Sequence, residues 1–247
     1  MDAVRTVDMT FDEIVEFRAS NRRFDQDTPV PAEVMERALK HATLAPNSSN
    51  MQLWEFHWVS TPEMKEKLAV ACLGQGAART AQELVVVVAR RNLWRKRVDW
   101  HRGLIMKDAE KLGKDHKSIE LRLKYYTKLM PFTYSNDGLG LLGLVRRVMS
   151  FSIGLFRPMY RAKGSAQQKV TVHKSAALAS QNLMMSLASQ GFHTCPMEGF
   201  DEVRIKRLLG LNRGAEVTMV IGVGKGTEKG FWGPRVRVPM EDVLYKH

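Results

Sequence analysis

The sequence predicts a single α+β domain, residues 1–247, rather than a doubly wound parallel sheet. Three observations support this prediction. The apolar runs that indicate strands are irregularly spaced, no βαβ unit repeats between them, and no internal repeat or low-complexity block is present. With 247 residues, 44% of them hydrophobic, the chain can bury a sizeable core.

The first third of the chain alternates helices and strands. Thr10 can accept a hydrogen bond at a helix start, Pro46 ends a helical segment, and the β-branched run from Leu84 is typical of a buried strand. The expected elements are a helix over 11–19, a turn at 27–31, a helix over 32–43, a polar loop at 47–50, a strand over 54–60, a helix over 62–71 and a strand over 84–89.

The rest of the chain predicts a helical middle followed by a return to the core. Gly191 and Gly210 each mark a helix end. The expected elements are a solvated helix over 102–130, an apolar segment over 139–160 broken by Arg146 and Arg147, helices over 174–190 and 201–209, a buried strand over 217–223 and an extended arm from 225. The glycine-rich residues 222–226 do not fit a nucleotide-binding loop and are interpreted as a flexible exit from the last strand.

The net charge of +12 is confined to one segment. Residues 90–174 contain 20 Lys and Arg but 6 Asp and Glu, whereas the rest of the chain contains 18 and 20. We define residues 93–165 as the lid, a basic helical insertion within the domain. Because no recognised nucleic-acid-binding motif accompanies the charge, specific nucleic-acid binding is not expected.

Targeting and cysteine patterns indicate a cytoplasmic protein. Residues 1–17 are acidic and mixed, unlike a signal peptide, and no segment is long and apolar enough to span a membrane. Cys72 and Cys195 are interpreted as small buried hydrophobes in a reducing compartment. His193 and Cys195 have no second pair of ligands at a metal-binding spacing, so no metal site is expected.

Four short clusters combine residue types that suit a phosphate or a flat heteroaromatic ring. They are 18–24 (Arg-Ala-Ser-Asn-Arg-Arg-Phe), 45–54 (Ala-Pro-Asn-Ser-Ser-Asn-Met-Gln-Leu-Trp), 195–201 (Cys-Pro-Met-Glu-Gly-Phe-Asp) and 233–239 (Gly-Pro-Arg-Val-Arg-Val-Pro). In an extended chain Arg18, Ser20 and Arg22 point the same way and offer the donors that a phosphate prefers. Arg235 and Arg237 alternate in the same manner.

Each cluster also has an ordinary structural explanation. Arginines after a helix complement its dipole, and arginines in an arm can simply be solvated. The polar residues of 45–54 are typical of a turn, although they can also border a polar ring. Pro196 and Gly199 would let the backbone approach a flat ligand, while Asp201 is also a good N-cap for the next helix.

In their order and spacing, the four clusters resemble the motifs of the FMN-dependent nitroreductase family. That family has Arg-x-Ser-x-Arg/Lys after its first helix and a Pro-Ser-rich loop ending in Asn-x-Gln-Pro-Trp after its second. It has Pro-(Ile/Met)-Glu-Gly-Phe-Asp after a long central helix and a basic-x-Arg pair in its C-terminal arm. The resemblance covers residues 11–90 and 174–243. Asn47 and Leu53 depart from the pattern, since Ser and Pro are common there.

The resemblance implies a nitroreductase-like three-layer α/β/α fold with a mostly antiparallel central sheet, in an obligate homodimer that holds FMN at the subunit interface. It also implies a ping-pong oxidoreductase, in which NADH or NADPH reduces FMN and a nitroaromatic, quinone or similar planar acceptor is then reduced. Because the flavin N5 carries the hydride, no protein residue is expected to be catalytic.

The resemblance assigns cofactor-binding roles residue by residue. The FMN phosphate is assigned to Arg18, Ser20, Arg235 and Arg237. Arg22 would lie near the N1–C2=O edge of the ring, where a cation raises the redox potential. The partner subunit would flank the dimethylbenzene and ribityl side with Pro46, Asn47, Ser48, Ser49 and Asn50. One face of the ring would be covered by Pro196, Met197, Glu198 and Gly199. A backbone N–H of this segment would be directed at N5.

Substrate choice is expected to lie in the lid, which the resemblance does not cover. We expect its aromatic residues to stack on a planar acceptor and its cations to favour anionic ligands, including the NADPH phosphate. The aromatic residues concerned are Trp94, Trp100, Tyr125, Tyr126, Phe132 and Tyr134. The alternative is a solvated helical excursion.

Two further alternatives remain open. Residues 139–160 interleave cations with apolar residues, so they are a candidate for weak contact with a membrane surface, as against dimer or core packing. Family relatives that carry out reductive dehalogenation or flavin cleavage share the FMN site, so the motifs do not distinguish these reactions.

Overall fold

Four strands form one antiparallel sheet in the order β1-β2-β4-β3 in the computed structural model, which describes residues 9–113, 116–135, 140–161 and 164–247. The strands are β1 (Trp54–Val59), β2 (Glu83–Ala89), β3 (His193–Met197) and β4 (Glu216–Gly224). Each neighbouring pair is antiparallel, and the β2–β4 register shifts at a bulge between Val87 and Val88. The prediction of a mostly antiparallel sheet is confirmed.

Ten helices lie among the described residues. They are α1 (Phe11–Phe17), α2 (Ala32–Thr43), α3 (Pro62–Ala71), α4 (Gly76–Thr80), α5 (Trp94–Leu112), α6 (Lys117–Lys124), α7 (Met130–Tyr134), α8 (Leu141–Phe156), α9 (Ser165–Ser189) and α10 (Glu202–Leu208). A π-helical turn, Tyr125–Leu129, joins α6 to α7, and short 3₁₀ turns occur at Ser48–Asn50, Arg91–Leu93, Glu228–Gly230 and Met240–Asp242.

The sheet is covered on both faces, which gives the three-layer arrangement that the resemblance implies. Side chains of β2 alternate between the two sides, with Leu84 and Val86 in the core under α3, α4 and α10 and Val85 and Val87 in the core under α2 and α9. Because neither face of the central strands meets water, β2 is apolar along almost its whole length.

The predicted helices over 32–43 and 62–71 form with those bounds, but two other expected helices need correction and two elements were not expected. The first helix ends at Phe17 rather than residue 19, because Arg18 is already extended. The helix expected over 174–190 begins at Ser165, since Gln168 and Val172 are buried despite the polar sequence around them. Strand β3 and helix α4 were not predicted.

The lid is a packed helical unit rather than one long solvated helix. The helix expected over 102–130 is instead α5, α6 and the π turn. Ile105 of α5 and Ile119 of α6 are buried against each other. Trp94 and Tyr134 join a cluster with Met51 that fastens the lid to the domain.

Some expectations fall outside the described residues. These include residues 1–8 of the N-terminal segment and residues 114–115, 136–139 and 162–163 of the lid, with Leu139 at the start of the membrane-contact candidate. None of the described helices is long and apolar enough to cross a membrane.

Candidate cofactor site

The segment after α1 lies along the outer edge of β3. Ser20 forms a parallel bridge with Thr194, and the Asn21 N–H donates to the Thr194 carbonyl at 3.1 Å. An edge strand has unpaired backbone groups, which this segment satisfies. This pairing requires an extended chain, which explains why the helix ends at Phe17. Pro196 is tolerated within β3 because a strand at the edge of a sheet need not use every N–H.

Asn21 joins this segment to the C-terminal arm. Its side chain is fully buried, donates from Nδ2 to the Thr227 carbonyl at 2.8 Å and accepts from the Arg23 N–H at 3.1 Å. A Cβ on Gly230 would lie 1.9 Å from the Asn21 Oδ1, so only glycine fits there. Asn21 is therefore a structural centre of the site, although no sequence pattern marked it.

A cleft of about 610 Å³ lies between the 18–22 segment and the C-terminal arm. Its lining includes all of the predicted phosphate-binding residues, which are Arg18, Ser20, Arg235 and Arg237, together with Arg22. The structure thus brings together, from opposite ends of the chain, side chains more than 200 residues apart in sequence. This agrees with the predicted grouping without testing what it binds.

Arg235 also fastens the arm to the first helix. Its guanidinium donates to the carbonyls of Val15 at 3.1 Å, Glu16 at 2.5 Å and Arg18 at 2.8 Å. These carbonyls lie at the C-terminal end of α1, where a cation is favoured. Arg235 therefore caps α1 as well as lining the cleft, which goes beyond the solvated arm considered as its ordinary explanation.

The cleft has a surplus of positive charge. Among the described residues, no carboxylate forms an ion pair with Arg18, Arg22, Arg235 or Arg237. The pKa of Arg18 is lowered by burial first and then by the charges of Arg235 and Arg237. Converging cations without a carboxylate partner favour an anionic ligand.

A second cleft of about 380 Å³ adjoins the first. Ser20, Arg22 and Trp232 line both clefts, and the second cleft is completed by Pro196, Met197, Glu198 and Gln75. The Arg22 guanidinium lies over the Trp232 ring, 4.1 Å from its centroid, which is cation–π geometry.

Gly199 lies beside this second cleft and is held by a side chain that the sequence did not suggest. The Gln75 Nε2 donates to the Gly199 carbonyl at 2.6 Å and to the Cys72 carbonyl at 3.0 Å. A Cβ on Gly76 would approach the Arg22 carbonyl to 2.9 Å, so α4 packs directly against the 18–22 segment. Gln75 and Trp232 are thus further candidate site residues. Trp232 directly precedes the 233–239 cluster, whereas Gln75 lies next to none of the four clusters.

The five residues 46–50, predicted to contact the cofactor, lie away from both clefts in the structure. None of them lines either cleft; Ser48 and Ser49 instead line a separate cavity of about 280 Å³, together with lid residues such as Tyr134 and Tyr160. Within one chain the structure therefore does not bring this loop to the other site residues. That placement is compatible with the expectation that the loop serves a partner subunit.

The backbone of this loop is held in an uncommon conformation. Ser49, Asn50 and Gln52 have φ values of 55°, 49° and 48°, which lie in a backbone region that residues other than glycine rarely adopt. Lid residues hold it there, because His101 Nε2 is 2.8 Å from the Asn50 carbonyl and the Tyr126 hydroxyl donates to the Ser49 carbonyl at 3.1 Å. Such strain persists only where the surroundings impose it, as they do at many functional sites.

The lid aromatics are divided between core and surface. Trp94 and Tyr134 are buried, and burial raises the pKa of Tyr134 to about 12. Trp100, Tyr125 and Phe132 are exposed. Trp94 and Tyr134 are therefore poorly placed to stack on an acceptor, whereas the other three rings lie at the surface.

Both cysteines are free and buried, which confirms their interpretation as small hydrophobes. Burial raises the pKa of Cys72 to about 11. Burial also raises the pKa of Cys195, against the opposing effect of Arg22. Neither thiol is a reactive thiolate at neutral pH.

Comparison with known proteins agrees with this arrangement. A sequence model of the nitroreductase family matches residues 15–225. YdgI of Bacillus subtilis, provisionally named an NAD(P)H nitroreductase, is 24% identical over 235 residues, which is 94% of this chain and 95% of YdgI.

Two solved structures share the fold. One is a Staphylococcus epidermidis protein provisionally described as an NAD(P)H:FMN oxidoreductase, with a TM-score of 0.74, 23% identity and 99% coverage of both chains. The other is an Exiguobacterium sibiricum protein solved in complex with FMN, with a TM-score of 0.68 and 23% identity, covering 97% of this chain and 98% of that one.

The structure defines an antiparallel α+β protein with a cation-lined cleft at its sheet edge. More specifically, the chain belongs to the nitroreductase family, because the family match spans most of its length.

Proposed function

We propose that the chain is an FMN-dependent NAD(P)H oxidoreductase that holds the FMN phosphate in the cation-lined cleft. The observation that carries the proposal is the convergence of Arg18, Ser20, Arg235 and Arg237 on one cleft with no carboxylate among the described residues paired to the three arginines. A dianionic phosphate would offset that repulsion and accept charge-assisted hydrogen bonds. The oxidoreductase assignment agrees with the family and with the FMN complex of the Exiguobacterium relative.

The residues present fit FMN in layout as well as in charge. A ligand with a phosphate at one end and a ring at the other needs two adjoining spaces, and the two clefts share a wall of Ser20, Arg22 and Trp232. Their volumes lie in the range of typical cofactor sites. The Pro196–Gly199 segment lies beside the second cleft, as its predicted role at the ring requires.

FMN, when bound, supplies the hydride chemistry between NADH or NADPH and an acceptor. The chain's own residues bind and orient. Arg18 and Ser20 hold the phosphate, Arg22 places a positive charge near the ring, and Gln75 fixes the turn at Gly199. A guanidinium at the ring favours added negative charge there and so promotes reduction.

We further propose a homodimer in which residues 46–50 of one subunit complete the site of the other. The loop is shaped by lid contacts yet lies outside both clefts of its own chain. A partner subunit supplies an obvious reason for that conformation. The acceptor is a nitroaromatic, a quinone or a similar planar molecule, reduced in a ping-pong cycle; dehalogenation or flavin cleavage is the alternative within the same family.

The spectrum of the purified protein tests the central proposal. The protein should be yellow, or should take up added FMN in one equivalent per chain, and should bleach anaerobically with NADH or NADPH. Colourless protein that binds no added FMN would refute it. Sedimentation equilibrium tests whether the protein is a dimer. A monomeric form that binds FMN as tightly as the dimer would refute the role of residues 46–50.

A further inference from the structure

Helix α8 in the lid presents its apolar side to water and its polar side to the protein. Arg146 and Ser150 face inward and are 3% and 1% exposed, whereas Phe151 and Leu155 are 57% and 63% exposed. A helix on a soluble surface normally has the opposite arrangement, with its apolar stripe toward the core. We define the outer face of α8 as Leu141, Leu144, Val145, Val148, Met149, Phe151, Leu155 and Phe156, all exposed by more than a third.

Helix α2 shows the ordinary pattern within the same protein. Its apolar Val34, Met35 and Ala38 are fully buried, while its charged Glu36 is exposed. The inversion of α8 is therefore a local property rather than a general feature of this surface. An apolar strip of this size, interrupted by the exposed Ser152, indicates a surface that meets another apolar phase.

The charged residues of α8 and of the sequence that follows it are all of one sign. The sequence contains no Asp or Glu from residue 138 to residue 197. Arg147, Arg157 and Arg161 lie on or just after α8, and all three are exposed. Exposed cations that border an apolar strip match a lipid surface with anionic head groups.

The same charges argue against a second copy of the chain as the occupant. Two copies of α8 placed face to face would bring the arginines of both helices together without an acidic partner on either. The geometry also excludes insertion across the bilayer. The 16 residues of α8 extend about 24 Å along the axis, and no described helix qualifies as a span.

We propose that the outer face of α8 docks the protein onto a membrane surface containing anionic lipid, with the helix axis in the plane of the interface. The apolar side chains enter the boundary between head groups and acyl chains, while Arg147 and Arg157 contact phosphates. In an ordinary interfacial helix the polar side faces water, whereas here Arg146 and Ser150 on the polar side of α8 are buried against the rest of the protein. This proposal does not depend on the cofactor.

Vesicle co-sedimentation of the intact protein tests it. The wild type should sediment with phosphatidylglycerol-containing vesicles and only weakly with pure phosphatidylcholine. The triple variant Leu144→Gln, Phe151→Gln and Leu155→Gln should lose at least about tenfold of its partition coefficient, because three apolar anchors are removed. Because these side chains face solvent, the variant should keep its circular dichroism spectrum and its mass in solution.

A matched control carries three equally exposed apolar residues changed elsewhere: Leu44→Gln, Val70→Gln and Val203→Gln. It should bind vesicles as the wild type does. A charge variant, Arg147→Gln with Arg157→Gln, should lose the preference for anionic over neutral vesicles. Absence of wild-type binding to anionic vesicles would overturn the proposal. So would an equal loss in the control, or a fall in solution mass of the α8 variant, which would assign the face to a second copy.

Discussion

Replacing Arg18 with alanine tests whether the cation-lined cleft holds a phosphate. Arg18 is partly buried, and that burial, followed by the nearby charges of Arg235 and Arg237, lowers its pKa. A hydrogen bond to a charged group contributes about 1.5–3 kcal/mol, and each 1.4 kcal/mol is tenfold in affinity. Arg18→Ala should therefore weaken FMN binding by between about 10-fold and 150-fold.

Riboflavin provides the matched ligand because it has the ring without the phosphate. Its affinity should change by less than about twofold in Arg18→Ala, since the missing group is the one that Arg18 contacts. Arg18→Lys should fall between wild type and alanine for FMN, because it keeps the charge but not the bidentate fork. Arg79→Ala removes an exposed cation outside both clefts and controls for net charge.

The assay is a titration of flavin with the apoprotein, in which binding is monitored by the quenching of flavin fluorescence. Thermal unfolding without flavin adds a second readout, which should show no loss of stability, because removing Arg18 relieves repulsion from its two neighbours. Equal weakening of FMN and riboflavin would refute the phosphate assignment. A large loss of apoprotein stability would instead show that Arg18 supports the fold.

Three further predictions concern stability. Asn21→Ala should cost about 1–3 kcal/mol in urea unfolding, since it removes one of the two hydrogen bonds to the Thr227 carbonyl and leaves the part-buried Arg23 N–H without its partner; a cost under about 0.5 kcal/mol would contradict that role. Burial, and then Lys225, lowers the pKa of His193, so the unfolded chain takes up its proton first as the pH falls below about 6.5. Wild type should lose more stability than His193→Gln between pH 7 and pH 5, and equal losses would refute this. Gly222→Ala should destabilise by about 1–3 kcal/mol, because its Cβ would lie 2.9 Å from a backbone carbonyl, whereas Gly103→Ala, with open space around it, should stabilise by up to about 1 kcal/mol.

The core was predictable because its elements carry strong local signals. Thr10 is the N-cap of α1, as expected, and forms a capping box with Glu13. Asp201 caps α10 by accepting from the Arg204 N–H at 3.0 Å. Elements defined by tertiary contact were not predictable. Strand β3 contains Pro196, which is a strand residue only because β3 lies at the sheet edge. The glycines at 222 and 224 are buried residues of β4 rather than a flexible exit, since α4 approaches Gly222 closely and Phe24 approaches both.

The site was predictable where it consists of arginines at fixed spacing and not where it depends on packing. Arg18 and Arg235 could be paired by family pattern, but nothing local marks the hydrogen bond from Asn21 to the Thr227 carbonyl, because only the fold brings these residues together. The inverted face of α8 shows the same limit. Its sequence is plainly apolar, but only the structure shows that the apolar side faces outward.

The hydrogen bond between Asn21 and Thr227 joins positions 206 residues apart. The ribosome synthesises Arg18 long before Arg235, so a nascent chain can form its helices and its sheet while the cleft still lacks one wall. The cleft is therefore complete only after residues 233–237 have been added and the arm has packed against the 18–24 segment. Before that point the segment can already pair with the edge of β3, but it lacks the hydrogen bonds that the arm supplies. The arm thus makes the cleft a late step in the folding of this chain.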